Sequence, residues 1–345
     1  MKYRYKVFVL IFAFSLIACK TAQAIPSSAA RSYIVIDADS GRIIGSRNAD
    51  EKLPIASTTK IMTTILSIEN SGNLERKIEV PASCTGIEGS SLYLRPRQMV
   101  SIMDLLYGTM LRSGNDAAET LAAFAGRNST EGFVAMMNDK AAEIGAYNTN
   151  FVNPSGLHDD NHYSTAYDLA IISQYAMKNN LFKQIASSVK YSAKSLNTTL
   201  YNKNKVVYQY QYGSGIKIGY TKAAGRCLVA SAEKEGTEII VVVLDDQYWF
   251  NDSYAMFDWA FENYKSYQIV EKGQYAGKAP DGKPVFINDT FSYLLTEEEK
   301  KEIRFESDIT VPFLLSGMDI PSCGTYSIYL GEEVIHTGNL TTINN

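Results

Sequence analysis

Histidine and cysteine are scarce here, with three histidines and four cysteines in 345 residues. No His-Glu-x-x-His occurs, and Cys84, Cys227 and Cys323 follow no metal-binding or redox spacing, so a zinc peptidase or a dithiol enzyme has no ligand set to work with. With Cys19 set aside the number is odd, which fits buried single thiols better than a disulfide scaffold. His158 and His162 stand beside Asp159 and Asp160, a grouping expected to form a polar loop rather than a metal site. The longest apolar run near the start, residues 7–18, is too short to cross a bilayer comfortably as a helix. No amphipathic helix follows Leu330, so no C-terminal membrane helix is expected. No serine sits in Gly-x-Ser-x-Gly, which disfavours a Ser-His-Asp hydrolase. The 33 Lys+Arg against 37 Asp+Glu give no electrostatic reason to expect nucleic acid. Repeats and low-complexity tracts are missing, and no cofactor is implied.

What is present describes a folded, exported protein. Hydrophobic residues make up 46% and charged residues 20%, and the length suits about two domains. Lys2, Arg4 and Lys6 precede the apolar run, and Ala22-Gln23-Ala24 follows it as a small-x-small cut site, so residues 1–24 read as a signal peptide. Cleavage after Ala24 removes four cations and no acids, taking the net charge from −4 to −8. Leu16-Ile17-Ala18-Cys19 resembles a lipoprotein box, and a cut there would leave Cys19 acylated as an anchor.

Residues 33–36 and 43–44, separated by Asp39-Ser-Gly41, predict a hairpin. Over 58–70 the pattern turns helical, and Ile61, Met62, Ile65, Leu66 and Ile68 cover enough of the circumference to bury that helix, with Gly72 as its stop. Ser101-x-x-Asp104 and Thr165-x-x-Asp168 are capping boxes opening helices to about 111 and 178. Strands follow at 215–220, 227–232 and 239–244, the last two joined at Glu235-Gly236, and a helix over 253–264 closes the unit. Strands early and late with helices between predict a three-layer α+β domain over 25–265 whose antiparallel sheet both ends complete. The Gly- and Pro-punctuated apolar pieces of 266–345 predict a small all-β domain.

The chemistry concentrates around Pro54-Ile-Ala-Ser57-Thr-Thr-Lys60-Ile-Met62. Ser57 and Lys60, three apart at a helix start, share a face and can touch. A serine hydroxyl needs a base, and a lysine kept neutral by burial or by a second cation can serve. Ser57 near a helix N-terminus also meets backbone amides that favour developing negative charge. A bare Ser-x-x-Lys is also what a helix cap followed by a solvated lysine looks like. Here, however, Ser113-Gly-Asn115 follows, then Lys217-Ile-Gly219 on a strand, and the ordered triplet matches penicillin-binding proteins and serine β-lactamases.

Together with Ser-Gly-Asn-Asp-Ala-Ala, Phe151-Val-Asn-Pro-Ser-Gly-Leu157, His162-Tyr-Ser-Thr-Ala-Tyr-Asp168 and Thr221-Lys-Ala-Ala-Gly-Arg226, the chain resembles the low-molecular-mass D-alanyl-D-alanine carboxypeptidases, the S11 peptidase family. The likeness covers roughly residues 30–261. It implies a penicillin-binding/serine β-lactamase-like domain plus the family's C-terminal β domain, and peptidoglycan stem peptides ending in D-Ala-D-Ala as substrate, with β-lactam antibiotics as covalent inhibitors. It also implies a place on the extracytoplasmic face of a bacterial envelope. On that resemblance Ser57 is the nucleophile, Lys60 its base, and Ser113 a proton carrier to the departing D-alanine. Asn115 binds the substrate backbone and steadies Lys60. Lys217 meets the substrate carboxylate and pushes Lys60 toward neutrality. The N–H groups of Ser57 and Tyr220 hold the oxyanion.

Ile218 departs from the family's Lys-Thr-Gly. Losing a hydroxyl that bonds a carboxylate costs on the order of 1.5–3 kcal/mol, and the isoleucine is expected to desolvate that spot, with Thr221 as a substitute hydroxyl by period two. Gly219 lets a substrate backbone approach. Two alternatives stand beside the carboxypeptidase: a serine β-lactamase, a class that needs a dedicated deacylation base, often a glutamate between the second and third motifs, for which this sequence offers no convincing match, and a peptidoglycan-binding relic weakened by Ile218. Asn153-Pro-Ser-Gly reads as a turn, Asp116 and Glu119 as first-turn helix acids, and Tyr208, Tyr210 and Tyr212 as packing on one face of a strand or ribbon.

Overall fold

The structure, a computed structural model, describes residues 24–127, 129–313 and 322–342. The expected signal segment up to residue 23, Cys19 included, lies outside them.

Alternation along the first strand, β1 (Ser32–Asp37), sets the layering. Successive side chains of a strand leave opposite faces, and Ile34 and Ile36 enter one apolar cluster while Tyr33 and Val35 enter another. β1 pairs antiparallel with β2 (Ile43–Arg47). A single 3-10 turn, Ala56–Thr59, then runs into α1 (Lys60–Asn70). The small hairpin of β3 (Lys77–Glu79) and β4 (Met99–Ser101) leads to α2 (Ile102–Leu111), α3 (Asn115–Ala125), α4 (Thr130–Glu143), α5 (Ala166–Met177) and α6 (Asn180–Ser187). A second hairpin, β5 (Lys190–Ala193) with β6 (Thr198–Tyr201), and the one-turn α7 (Val206–Gln209) return the chain to the sheet. There β7 (Gly213–Thr221), β8 (Gly225–Lys234) and β9 (Thr237–Leu244) are followed by α8 (Trp249–Asn263).

The sheet order β2-β1-β9-β8-β7 is antiparallel and joins both ends of the unit through the β1–β9 pair. One face carries Ile240, Val242, Leu244 and Val229 into the cluster shared with α1, α2, α3 and α5; the other carries Ile239, Val241, Val243 and Leu228 onto Met256 and Phe257 of α8. This is the expected three-layer α+β arrangement. The caps form as the sequence predicts, with Ser101 Oγ accepting from Asp104 N at 3.1 Å and Thr165 Oγ1 from Asp168 N at 3.0 Å. Tyr208 sits in α7 rather than on a ribbon, and Tyr210 and Tyr212 pack on Tyr254, Phe257 and Phe261.

Beyond α8 come β10 (Lys265–Val270), β11 (Tyr275–Lys278), β12 (Pro284–Ile287), β13 (Phe291–Leu295), β14 (Ile303–Phe313), β15 (Ser322–Leu330) and β16 (Glu333–Thr341). They form a two-stranded and a five-stranded antiparallel sheet around a separate core of Val285, Ile287, Tyr326, Ile328 and Leu340. This is the expected all-β segment. Arg42, beside β2, donates to the Leu294 carbonyl and pairs with Glu299.

Candidate active site

The 3-10 turn holds Ser57 partly exposed and ends at Lys60, which has no exposed surface. Three residues of separation in this tight geometry bring Lys60 Nζ to 3.0 Å from Ser57 Oγ. The same ammonium donates to Asn115 Oδ1 at 2.7 Å and to the Ser155 carbonyl. Asn115 opens α3 and is held from its other end, its Nδ2 donating to Glu88 O at 2.5 Å. Ser113 lies between α2 and α3 with φ 61, a left-handed backbone that a non-glycine residue adopts at a cost of about 1 kcal/mol. That bend aims its hydroxyl at Lys217 Nζ, 3.1 Å away. Lys217 is buried on β7 and also donates to Ile218 O at 2.8 Å.

β7 lies against the serine turn. A Cβ on Gly219 would stand 2.9 Å from Ser57 N and 3.0 Å from Ile55 O, so only glycine permits this approach. The structure therefore gathers Ser57, Lys60 and Asn115 in one hydrogen-bonded cluster and Ser113 with Lys217 in another, with Gly219 on the strand between them. Tyr220, the next residue on that strand, has an exposed side chain.

Burial pushes the Lys60 ammonium down to about 7; Glu119 and Asp116 act to raise it and Lys203 to lower it further. Lys217 lies well below the ordinary lysine range, through burial first and then Lys60 and Lys203. Burial is the larger cause for both lysines; the repulsion between Lys60 and Lys217 is mutual, as the sequence suggests, and Lys203, whose Nζ donates to Ser90 Oγ at 3.1 Å, is a further cation acting on each.

Several expectations need correcting. Ile218 pairs with Leu228 across the strands and packs on the α8-side cluster, opposite the face Lys217 uses, so it does not cover the spot beside that lysine. The Thr221 hydroxyl accepts from Ala224 N at 3.0 Å in the β7–β8 turn, which leaves its O–H free to donate. Asp116 is the first-turn acid of α3 that the sequence suggests, but it is also buried and accepts from Leu92 N, Leu94 N and Ser91 Oγ, pinning the 91–94 loop. Glu119 lies beyond the first turn of α3, accepts from Ser155 Oγ at 3.1 Å, and burial raises its carboxyl. His162 is buried, shares 2.8 Å with Thr59 Oγ1 and accepts from Val152 N, while no cluster able to hold a metal occurs among the described residues.

The turn at 153–156 belongs to the site. Asn153 Oδ1 accepts from Ser155 N, Gly156 N and Leu157 N, which curls the backbone until the Ser155 carbonyl faces Lys60. Gly156 has φ +78, and a Cβ there would lie 2.0 Å from Ala56 O. The local signal Asn-Pro-Ser-Gly marks a turn; nothing local marks its contact with a lysine ninety-odd residues earlier. Ser155 and Lys203 had no signal either.

Known proteins can now be set beside this geometry. Residues 19–248 match the peptidase family S11, D-alanyl-D-alanine carboxypeptidase. The chain is 33% identical over 304 residues to D-alanyl-D-alanine carboxypeptidase DacF of Bacillus subtilis, covering 82% of this chain and 78% of that protein. It is 32% identical over 275 residues to D-alanyl-D-alanine carboxypeptidase DacC of Escherichia coli, covering 75% of this chain and 68% of that one. The crystal structure of penicillin binding protein 5 from Haemophilus influenzae superposes with a TM-score of 0.80 at 25% identity, over 94% of this chain and 99% of that one. Matched by the family's model over most of its length and by relatives at about a third identity, this chain belongs to the S11 family of D-alanyl-D-alanine carboxypeptidases.

Proposed function

We propose that the chain is a serine D-alanyl-D-alanine carboxypeptidase that removes the terminal D-alanine from peptidoglycan stem peptides through an acyl-enzyme on Ser57. The observation that carries the reading is the 3.0 Å contact between Ser57 Oγ and a fully buried Lys60 whose ammonium is pushed down to about 7. At that value a large fraction of Lys60 is a free amine near neutral pH and can take the hydroxyl proton.

Ser57 Oγ attacks the carbonyl between the two D-alanines as its proton passes to Lys60 Nζ. The oxyanion is held by the N–H groups of Ser57 and Tyr220, each worth about 3 kcal/mol. As the tetrahedral species collapses, the C–N bond breaks and the proton taken up by Lys60 passes by way of Ser113 to the leaving amine, which leaves Lys60 neutral again. Water then attacks the acyl ester, with Lys60 again accepting a proton, and Ser57 is regenerated. Asn115 holds the Lys60 amine in place and presents its amide to the substrate backbone, and Gly219 leaves room for that backbone. Lys217, starved of a counter-charge by burial, gains one when the substrate carboxylate binds beside Ser113.

β-Lactams would acylate the same serine. The enzyme works outside the cytoplasm after its signal segment, residues 1–24, is removed, or as a lipoprotein through Cys19. Residues 25–265 form the peptidase domain and 266–345 the accessory β domain. The test is D-alanine release from a peptide ending in D-Ala-D-Ala, together with a labelled penicillin adduct that is lost in Ser57→Ala. Absence of both in the wild-type chain would refute the assignment, and fast penicillin turnover would favour a β-lactamase.

A further inference from the structure

Glu119 is a carboxylate in a place that the serine–lysine chemistry leaves unexplained. It lies one turn into α3 from Asn115, partly buried, and its Oε1 accepts from Ser155 Oγ at 3.1 Å. Ser155 in turn accepts from Lys60 through its carbonyl. A chain of contacts therefore runs from Glu119 through both polar groups of Ser155 to the ammonium that touches Ser57. Ser155 Oγ also lies 3.1 Å from Asn153 Oδ1, so Glu119 and Asn153 are the two acceptors available to its single hydroxyl proton.

We propose that Glu119 is a positioning residue for the reaction: through the Ser155 hydroxyl it holds the 153–156 turn so that the carbonyl meets Lys60, and it supplies the negative charge against which Lys60 receives the serine proton. The inference rests on Lys60 being the base. When Lys60 takes that proton, a cation forms in a site already holding Lys217 and facing Lys203, with His162 also nearby. Asp116 faces Lys60 as well, but it is committed to the backbone of the 91–94 loop. Glu119 is the carboxylate joined to Lys60 through one residue. Cys84 is the remaining titratable group on which its charge bears. Burial raises the Glu119 carboxyl, while the Ser155 bond and Lys60 act to keep it ionised.

The sign of the consequence is fixed. Acylation needs neutral Lys60, so its rate rises with pH through the lysine pKa. Removing the Glu119 charge lowers that pKa and moves the rise to lower pH. The experiment is the pH dependence of acylation of the full exported chain by a labelled penicillin, comparing wild type with Glu119→Gln, which keeps an acceptor for Ser155, and with Glu119→Asp, which keeps the charge. The expected result for Glu119→Gln is an acid limb displaced downward by on the order of one pH unit and a maximal rate reduced several-fold, with Glu119→Asp closer to wild type. A Glu119→Gln profile that superposes on wild type, or loses rate without moving its midpoint, overturns the proposal. Should Glu119→Gln fail to fold, Glu119→Asp decides, since a longer path to Ser155 must still move the limb downward by a smaller amount. Failure of the underlying assignment looks different: the wild type is not labelled, or Lys60→Ala is labelled on an unchanged profile.

Discussion

Gly219→Ala tests the approach of β7 to the serine turn. The added Cβ would lie 2.9 Å from Ser57 N, 3.0 Å from Ile55 O and 3.1 Å from Ala56 Cβ. Two of these are backbone atoms and the third is a methyl fixed to the backbone, so no flexible side chain can yield; the strand and the turn must separate by about half an ångström to reach ordinary contact. Overpacking of this kind costs about 1–3 kcal/mol of stability. The catalytic loss is set by what moves. Ser57 N is one of the two proposed oxyanion donors, and misplacing one donor costs about 3 kcal/mol, roughly a hundred-fold in rate. The assay is the second-order rate of penicillin acylation in parallel with D-alanine release, with thermal melting as the control for folding. The expected outcome is a fall of about thirty- to hundred-fold in both rates with a folded, somewhat less stable protein. Rates within threefold of wild type would refute the geometry on which the oxyanion assignment depends.

Three further outcomes are expected. Ile218→Thr removes packing on the α8 side without placing a hydroxyl beside Lys217, so melting drops while D-alanine release stays within about threefold; a tenfold gain would show that the residue reaches the carboxylate after all. Asn153→Ala strips the acceptor from three backbone N–H groups at a cost of about 1–3 kcal/mol and releases the Ser155 carbonyl, so stability and acylation fall together; unchanged acylation would detach this turn from the site. Burial holds the His162 imidazole down to about 4 against 6.5 unfolded. The neutral ring therefore stabilises the fold fully above pH 6.5, and that contribution, about 3 kcal/mol, is lost as pH falls from 6.5 toward 4. Melting temperatures across that range in wild type and His162→Asn check it: a variant with the same pH dependence would exclude the histidine as the cause.

Legibility in the sequence followed the range of the interaction. Capping boxes at Ser101 and Thr165, the Glu235-Gly236 turn and the alternation of β1 and β9 depend on neighbours a few residues away, and they stand where the pattern put them. The helix α4 was not anticipated; three buried residues in fourteen leave a weak stripe. Asp116 stands in the first turn of α3 as the pattern suggests, while Glu119 lies beyond it; that one binds the 91–94 loop and the other the 153–156 turn is invisible in sequence, because the partners come from elsewhere in the chain.

The order and spacing of Ser57, Lys60, Ser113, Asn115, Lys217 and Gly219 carry the resemblance to the family, and the roles proposed for them rest on that resemblance together with the contacts the fold brings about. Tertiary structure alone decided that Ile218 faces away from Lys217, that the Ser155 carbonyl and Glu119 lie on the Lys60 side of the site, and that Lys203 joins Lys217 as a cation acting on Lys60. The proton affinity of an amine depends on how much water is excluded around it and which charges are packed against it, and both are properties of groups far apart in the chain that meet only when the sheet and helices close.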